Sequence, residues 1–295
     1  MRKQFIKTIE NILGQDEGLV LLLGDIGVWG FSNAFEKYPD RVYNVGILEQ
    51  SMVSMASGLA MTDHIPVLHT IAPFLAERAT EQLKNDFCYQ KLGGNFVTVG
   101  ASYDYASLGC THHCPADVGI LKQMPGMEIV LPGTPVEFDK LFRQTYSNGH
   151  PTYFRLSERS NKVSHNARFG KASIIKKGKL ATAIAVGSML DPVLTAAGDL
   201  DMTILYYSTL EPFDHKTLKK NTQSKRVVLC EPYYSGALTA DVMKTFLGRA
   251  VELYHIGMPK KFITEYGKAE KHDELLNLSP AKLRKRIKNI CQKKS

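Results

Sequence analysis

Three groups of residues in this chain have the types and spacing to do chemistry. The first is Glu49, in Val45-Gly46-Ile47-Leu48-Glu49-Gln50. An apolar stretch, Arg41-Val42-Tyr43-Asn44-Val45, reads as a short strand, and Gly46 gives the backbone freedom for a sharp exit. Met52, Met55, Ala56 and Leu59 then recur at helical spacing, so Glu49 falls in the first turn of a helix that follows a strand. At such a junction the helix N–H groups favour an anion, and open α/β sheets place their ligands there. By position alone Glu49 is an ordinary helix-start acid. Its other reading is a carboxyl group that shares a proton with a bound ligand.

The second group is Gly109-Cys110-Thr111-His112-His113-Cys114. A neutral imidazole near pH 7 can both give and take a proton, which suits carbonyl chemistry. Two cysteines and two histidines in five residues also raise a zinc site. A tetrahedral site needs ligands converging from different directions, and no second Cys/His pair follows, so no metal is assigned to this chain. The third group is the arginines of Arg155-Leu156-Ser157-Glu158-Arg159, at the end of an apolar strand over residues 152–156.

The elements that must position these groups alternate between strand and helix. A helix is expected over residues 3–13, with Phe5, Ile6, Ile9 and Ile12 or Leu13 on one face. The unbroken apolar run 19–23, closed by Gly24-Asp25-Ile26-Gly27, reads as a doubly covered parallel strand with a ligand-facing turn. Strands at 65–69, 96–99 and 128–131 and helices at 74–89 and 135–146 complete a first α/β domain, residues 1–160. The polar segment 161–179 is the expected linker. From 180 to 295 the alternation resumes: strands at 181–186, 202–206, 227–230 and 251–255, and helices at 192–198 and starting near 214 and 236. The fold class is therefore α/β, as two consecutive parallel-sheet domains.

Composition narrows the function further. With 44% apolar residues in 295 the chain can bury two substantial cores. Seven Lys or Arg and no acid lie between Ser279 and Ser295, which accounts for all but one unit of the +8 net charge. Leu283, Ile287 and Ile290 line one side of that segment, so it reads as a terminal helix with a solvated basic face rather than as a nucleic-acid or membrane site. Five cysteines in a chain this long form no secreted framework, and no stretch approaches ~20 apolar residues. A cytoplasmic protein with no nucleic-acid or membrane partner is expected.

The words around Glu49 carry a family resemblance. Arg41-x-Tyr43-Asn44-Val45-Gly46-Ile47-x-Glu49-Gln50, with Gly58-Leu59-Ala60 and Pro66-Val67 after it, resembles the pyrimidine-binding domain of transketolases and 1-deoxyxylulose-5-phosphate synthases, which use thiamine diphosphate. The resemblance implies that Glu49 contacts N1′ of the cofactor's aminopyrimidine and drives deprotonation of thiazolium C2, for which a raised pKa is expected. It implies that Asp25 and Ile26 line the cofactor. Phe74-Leu75-x-x-Arg78-Ala79-x-Glu81-Gln82 resembles the family's aromatic-plus-Arg-Ala helix, which makes Phe74 the ring that stacks on the aminopyrimidine and places Arg78 in the cofactor set. Ile71 occupies a position where many relatives carry a second aromatic.

Gly109-x-Thr111-His112, followed by Asp117 and Met124-Pro125-Gly126-Met127, resembles the transketolase Gly-x-Thr-His-Gln loop and its Pro-x-Met turn. His112 is then the group that binds the sugar oxygen near the reacting carbon, and His113 stands where Gln is usual. Leu108 replaces an Asp that reads a substrate hydroxyl in many transketolases. Glu158 takes the slot of a phosphate-binding Arg, which leaves Arg155 and Arg159 beside it as the candidate substrate cations. Pro212-Phe213-Asp214, Val228-Leu229-x-Glu231 with Ser235-Gly236, and Ile256-Gly257-Met258-Pro259 resemble the family's C-terminal domain.

The resemblance also shows what this chain lacks. The family holds the cofactor's diphosphate through a divalent ion bound by Gly-Asp-Gly and a later Asn-Asn, whereas Gly24-Asp25-Ile26 is followed by no Asn-Asn. A split enzyme is implied, with Mg²⁺ or Ca²⁺ and the diphosphate held mainly by a separate N-terminal subunit in an α2β2 assembly. The expected reaction moves a two-carbon ketol unit between sugars or sugar phosphates. A second reading keeps the cofactor but makes the chain the beta subunit of a 2-oxoacid dehydrogenase or of a pyruvate-using synthase. A third makes it a non-catalytic assembly subunit.

Overall fold

The computed structural model describes residues 1–293 and contains two mixed, mostly parallel α/β sheets. The first is built from α1 (Arg2–Leu13), β1 (Leu19–Leu23), α2 (Ser32–Lys37), β2 (Val42–Asn44), α3 (Glu49–Met61), β3 (Ile65–Ile71), α4 (Ala72–Ala76), α5 (Thr80–Gln82), β4 (Gly94–Val99), α6 (Asp117–Leu121), β5 (Glu128–Val130), α7 (Pro135–Thr145) and β6 (Pro151–Arg155). Its strand order is β5-β6-β4-β3-β1-β2, all parallel.

All five residues of β1 are buried, as a strand covered on both faces requires. Alternate side chains point to opposite faces. Leu19, Leu21 and Leu23 join Phe5, Ile9, Phe138 and Phe142 under α1 and α7, while Val20 and Leu22 join Met52, Val53 and Ala56 of α3.

The rest of the chain contributes β7 (Ser173–Lys176), β8 (Thr182–Val186), α8 (Leu190–Ala197), β9 (Thr203–Tyr207), β10 (Thr209–Glu211), α9 (His215–Asn221), β11 (Arg226–Tyr234), α10 (Thr239–Thr245), β12 (Glu252–Met258), α11 (Ala269–Leu275) and α12 (Pro280–Gln292), and all its strands but β10 form the second sheet. The order of this second sheet is β12-β11-β8-β9-β7. One face packs on α8 and α12 through Leu190, Val193, Leu283 and Ile287. Ile184, Val186 and Leu205 belong to the same apolar cluster as Leu68 and Phe96, so the core is continuous between the two sheets.

Three features differ from the sequence expectation. The segment expected as linker contains β7, which pairs antiparallel with β9. Thr209–Glu211 crosses to the first sheet and pairs antiparallel with β5, which ties the two units together by backbone. The helix expected over 74–89 is broken: α4 ends at Ala76, α5 starts at Thr80 and a π-helical stretch, Leu83–Tyr89, follows. At the break the Thr80 hydroxyl donates to the Ala76 carbonyl at 2.6 Å and the Glu77 carbonyl at 2.9 Å, side-chain bonds that compete with the helical ladder. No helix among the described residues is long and apolar enough to cross a membrane.

Candidate active site

The carboxyl ends of β1, β2, β3 and β4 converge on one edge of the first sheet. At the exits of β1 and β2 the Asn44 side chain joins two turns: its Oδ1 accepts from the backbone N–H of Asp25 at 3.0 Å and of Gly46 at 3.2 Å, and its Nδ2 donates to Asp25 Oδ1 at 3.0 Å. Asp25 is thereby held in the left-handed region at φ +55°, and Gly46 takes φ +81°, which a residue with a side chain rarely adopts. The turn after Gly46 delivers Glu49 as the first residue of α3 with its side chain directed inward.

Glu49 is fully buried. Both its oxygens have partners. Thr70, the penultimate residue of β3, donates its hydroxyl to Oε1 at 2.9 Å, and Arg78 donates Nη1 to Oε2 at 2.5 Å. Gly24 makes room for that contact, since a methyl group on it would come within 3.0 Å of the Thr70 side chain. The Arg78 guanidinium lies 4.4 Å from the centre of the Phe74 ring. The edge of Phe74 in turn meets the His112 ring, with centres 5.3 Å apart. The Thr111 hydroxyl and His112 Nδ1 are 3.0 Å apart, and the Tyr105 ring closes the far side at 6.5 Å.

Glu49, Phe74, Arg78 and His112 are thus brought together. Ile71 directly follows Thr70 at the end of β3, and Asp25 and the half-buried Ile26 line a separate cavity of about 650 Å³ with Arg2, Gly27, Val28 and Trp29. The sequence reading missed Thr70 and quoted Asn44 without giving it a role, because a single Thr or Asn in a strand carries no signal of its own. It also missed Trp29, the one tryptophan of the chain, which is 94% exposed at the cavity rim.

The remaining candidates lie elsewhere. His113 is turned away from His112 toward the second unit, its ring 5.8 Å from that of the buried His272. Burial, and then His272, depress its pKa. Arg155 does not reach the site, which corrects the expectation of a substrate cation there. It is buried, with Nε on Asp117 Oδ2 at 2.6 Å and Nη2 on the Ser102 hydroxyl at 2.8 Å and the Cys114 carbonyl at 3.3 Å. Burial opposes its charge, but Asp117, together with Tyr153 and Cys114, raises its pKa overall. Arg159 likewise pairs away from the site, with Asp273 of α11 at 2.9 Å.

The two cysteines of the loop diverge. Cys110 is exposed, whereas Cys114 is buried with its thiol directed to Glu77 at 3.7 Å. Among the described residues no cluster of three or more His, Cys, Asp or Glu is placed to hold a metal ion. What the edge does offer is a buried carboxylate, an aromatic face and an imidazole side by side. That set suits a flat heteroaromatic ring that shares a proton with the carboxylate while the imidazole serves a second reactant.

Comparison with known proteins finds relatives of both units. A family model described as transketolase, pyrimidine binding domain, matches residues 1–163, and one described as transketolase, C-terminal domain, matches residues 170–283. An uncharacterized 33.6 kDa protein in the fasciation locus of Rhodococcoides fascians is 36% identical over 290 residues, covering 97% of this chain and 93% of that one. One subunit of the apulose-4-phosphate transketolase of Actinobacillus succinogenes is 28% identical over 258 residues and 82% of each chain. A solved structure described as a split gene transketolase, inactive beta4 tetramer, superposes with a TM-score of 0.84 over 98% of this chain and 97% of its own, at 23% identity.

Proposed function

The chain belongs to the transketolase family, with its two units as the pyrimidine-binding and C-terminal domains, and from that premise we propose that it is the cofactor-activating subunit of a split thiamine diphosphate transketolase. The observation that carries the reading is Glu49, fully buried on the same edge as Phe74 and His112. The residues present fit an aminopyrimidine. Glu49 offers a carboxylate away from water, the half-buried Phe74 offers a ring face, and a side chain on Gly46 would meet nothing within 4 Å, so the entry turn is open.

When bound, thiamine diphosphate supplies the electron sink that two-carbon transfer needs. This chain's own groups do the rest. Glu49 holds and shifts a proton at Oε2 while Thr70 fixes Oε1, Phe74 orients the ring by stacking, and Asp25, Ile26 and Ile71 line its surroundings. His112, with the Thr111 hydroxyl at its Nδ1, moves a proton at the sugar oxygen from its other nitrogen.

A partner subunit completes the site. It supplies the diphosphate-binding residues and the Mg²⁺ or Ca²⁺, and the cofactor lies between the subunits of an α2β2 assembly. Two relatives support this division, since one is named as a single subunit of a transketolase and the other as the product of a split gene. So do the exposed apolar residues Ile47, Leu48 and Met55 around the start of α3, a patch suited to being covered. The substrates are sugars or sugar phosphates. Arg155 is sealed against Asp117 and does not serve as the phosphate contact, whereas the Arg159 side chain is 40% exposed and can exchange Asp273 for a substrate anion. We place the domain boundaries at residues 1–160 and 180–295, with β7 an edge strand contributed by the segment between them.

The test is ketol transfer from hydroxypyruvate by the chain and its partner with thiamine diphosphate and Mg²⁺. Glu49→Ala is expected to lower the rate at least ~100-fold while the chain stays folded. Equal rates would remove Glu49 from the chemistry, and decarboxylation of pyruvate in place of ketol transfer would move the chain to the 2-oxoacid class.

A further inference from the structure

The two groups that the proposed function reserves for a cofactor ring are already engaged by one side chain. Arg78 donates to Glu49 Oε2 at 2.5 Å, and its guanidinium carbon stands 4.4 Å from the centre of the Phe74 ring. A guanidinium is flat, cationic and carries its N–H groups in its own plane, so it can stack on an aromatic face while pairing edge-on with a carboxylate. An aminopyrimidine protonated on its ring nitrogen would make the same two contacts. The other Glu49 oxygen is taken by Thr70, so the carboxylate edge available to a ring is the one Arg78 occupies.

This pairing has a physical reason in the absence of a ligand. A fully buried carboxylate with no cation beside it is costly, and the Arg78 charge compensates it. The same pairing is easily undone. The Arg78 side chain is 37% exposed, and Glu49 is its only side-chain hydrogen-bond partner among the described residues. It can turn into solvent without breaking another bond.

We infer that Arg78 is an internal placeholder for the aminopyrimidine ring: it keeps Glu49 and Phe74 in their binding arrangement and leaves when the ring enters. Arg78 is then a positioning residue that competes with the cofactor rather than a cofactor contact. The inference rests on the thiamine diphosphate reading above. Its consequence is that apparent cofactor affinity is reduced by the fraction of molecules in which Arg78 holds Glu49.

The experiment is a calorimetric titration of thiamine diphosphate, at fixed Mg²⁺, into the complex of the full chain with its partner. In Arg78→Met the competitor is gone, and Kd is expected to fall by at least ~5-fold. Arg78→Lys keeps the charge without the flat stacking surface and should fall between wild type and Arg78→Met. It carries the test alone, by the same direction of change, should Arg78→Met fail to fold. An unchanged or higher Kd in these variants, with the wild type binding, would overturn the placeholder and leave the function intact. If the wild-type complex binds no thiamine diphosphate, the functional reading fails and the placeholder with it.

Discussion

Two arginine–carboxylate pairs sit on the first sheet, and they differ in what surrounds the arginine. Arg155–Asp117 and Arg78–Glu49 are equally short, 2.6 and 2.5 Å, and both carboxylates are fully buried. Arg155 is itself sealed, with further bonds to Ser102 and Cys114 and the Tyr233 ring 5.5 Å away. Arg78 reaches solvent and makes one side-chain hydrogen bond. A buried ion pair becomes a fixed structural joint when both partners are enclosed, and a replaceable one when either can be rehydrated. The first kind holds the core between the sheets, and the second marks the site.

The largest expected effect tests that contrast. Arg155→Met leaves Asp117 buried without a cation and should cost ~3–5 kcal/mol of stability. Arg78→Met should cost only about 1 kcal/mol, because water can reach Glu49 Oε2 through the opening the side chain leaves. Denaturant unfolding of the two variants of the free chain measures both. Equal losses would mean that exposure of the arginine does not distinguish the pairs.

His69 sharpens the contrast from the opposite side, as a group with one free nitrogen but no route to solvent. Its Nδ1 bonds to the Val97 carbonyl at 2.8 Å, which makes Nδ1 the protonated nitrogen, while Nε2 has no partner among the described residues. The Phe5 ring lies tilted over it with centres 4.5 Å apart, and a methyl group on Gly27 would lie 3.2 Å from the ring. Burial pushes its pKa down to about 4, against the bond to Val97, which raises it. The folded state therefore keeps His69 neutral, while the unfolded chain takes up a proton below about pH 6.5. Stability present above that pH is lost as pH falls toward 4, on the order of 3 kcal/mol in all. Unfolding free energies between pH 7 and 4.5 should fall more steeply for wild type than for His69→Gln. Parallel curves would mean that protonated His69 finds water, as Arg78 does.

The sequence placed Glu49 and Arg78 in one candidate site, but it showed neither ion pair. Glu49 was readable because a strand, a glycine and a helical apolar pattern fix where its backbone must be, and the pattern of β1 is a local property of five consecutive residues. Phe74 and Arg78 entered the cofactor set through the family resemblance, and their contact across the broken helix was not readable from spacing. Arg155 ends an apolar strand in the same way whether it faces a substrate or an acid 38 residues before it, and only the tertiary structure decides. The strand Thr209–Glu211 is three residues long, too short to show a period, and its pairing with β5 is a long-range choice. The break near Thr80 was hidden because its apolar neighbours keep helical spacing through it, while the competing bonds come from one hydroxyl.

The smallest effect concerns the oxygen of Glu49 that the placeholder does not touch. Thr70 is buried, and its hydroxyl bond to Oε1 holds the carboxylate in one orientation whether Arg78 or a ring occupies Oε2. Thr70→Val keeps the shape and removes the donor, a loss of about 1 kcal/mol for a hydrogen bond of this kind. Because the bond is present before and after the exchange at Oε2, cofactor Kd should change little. The cost should instead fall on the step in which Glu49 moves a proton, lowering kcat by about 5-fold in the assembled enzyme. A change in Kd at constant kcat would mean that Thr70 acts on the exchange itself, and that the two oxygens of Glu49 are coupled rather than divided between holding and reacting.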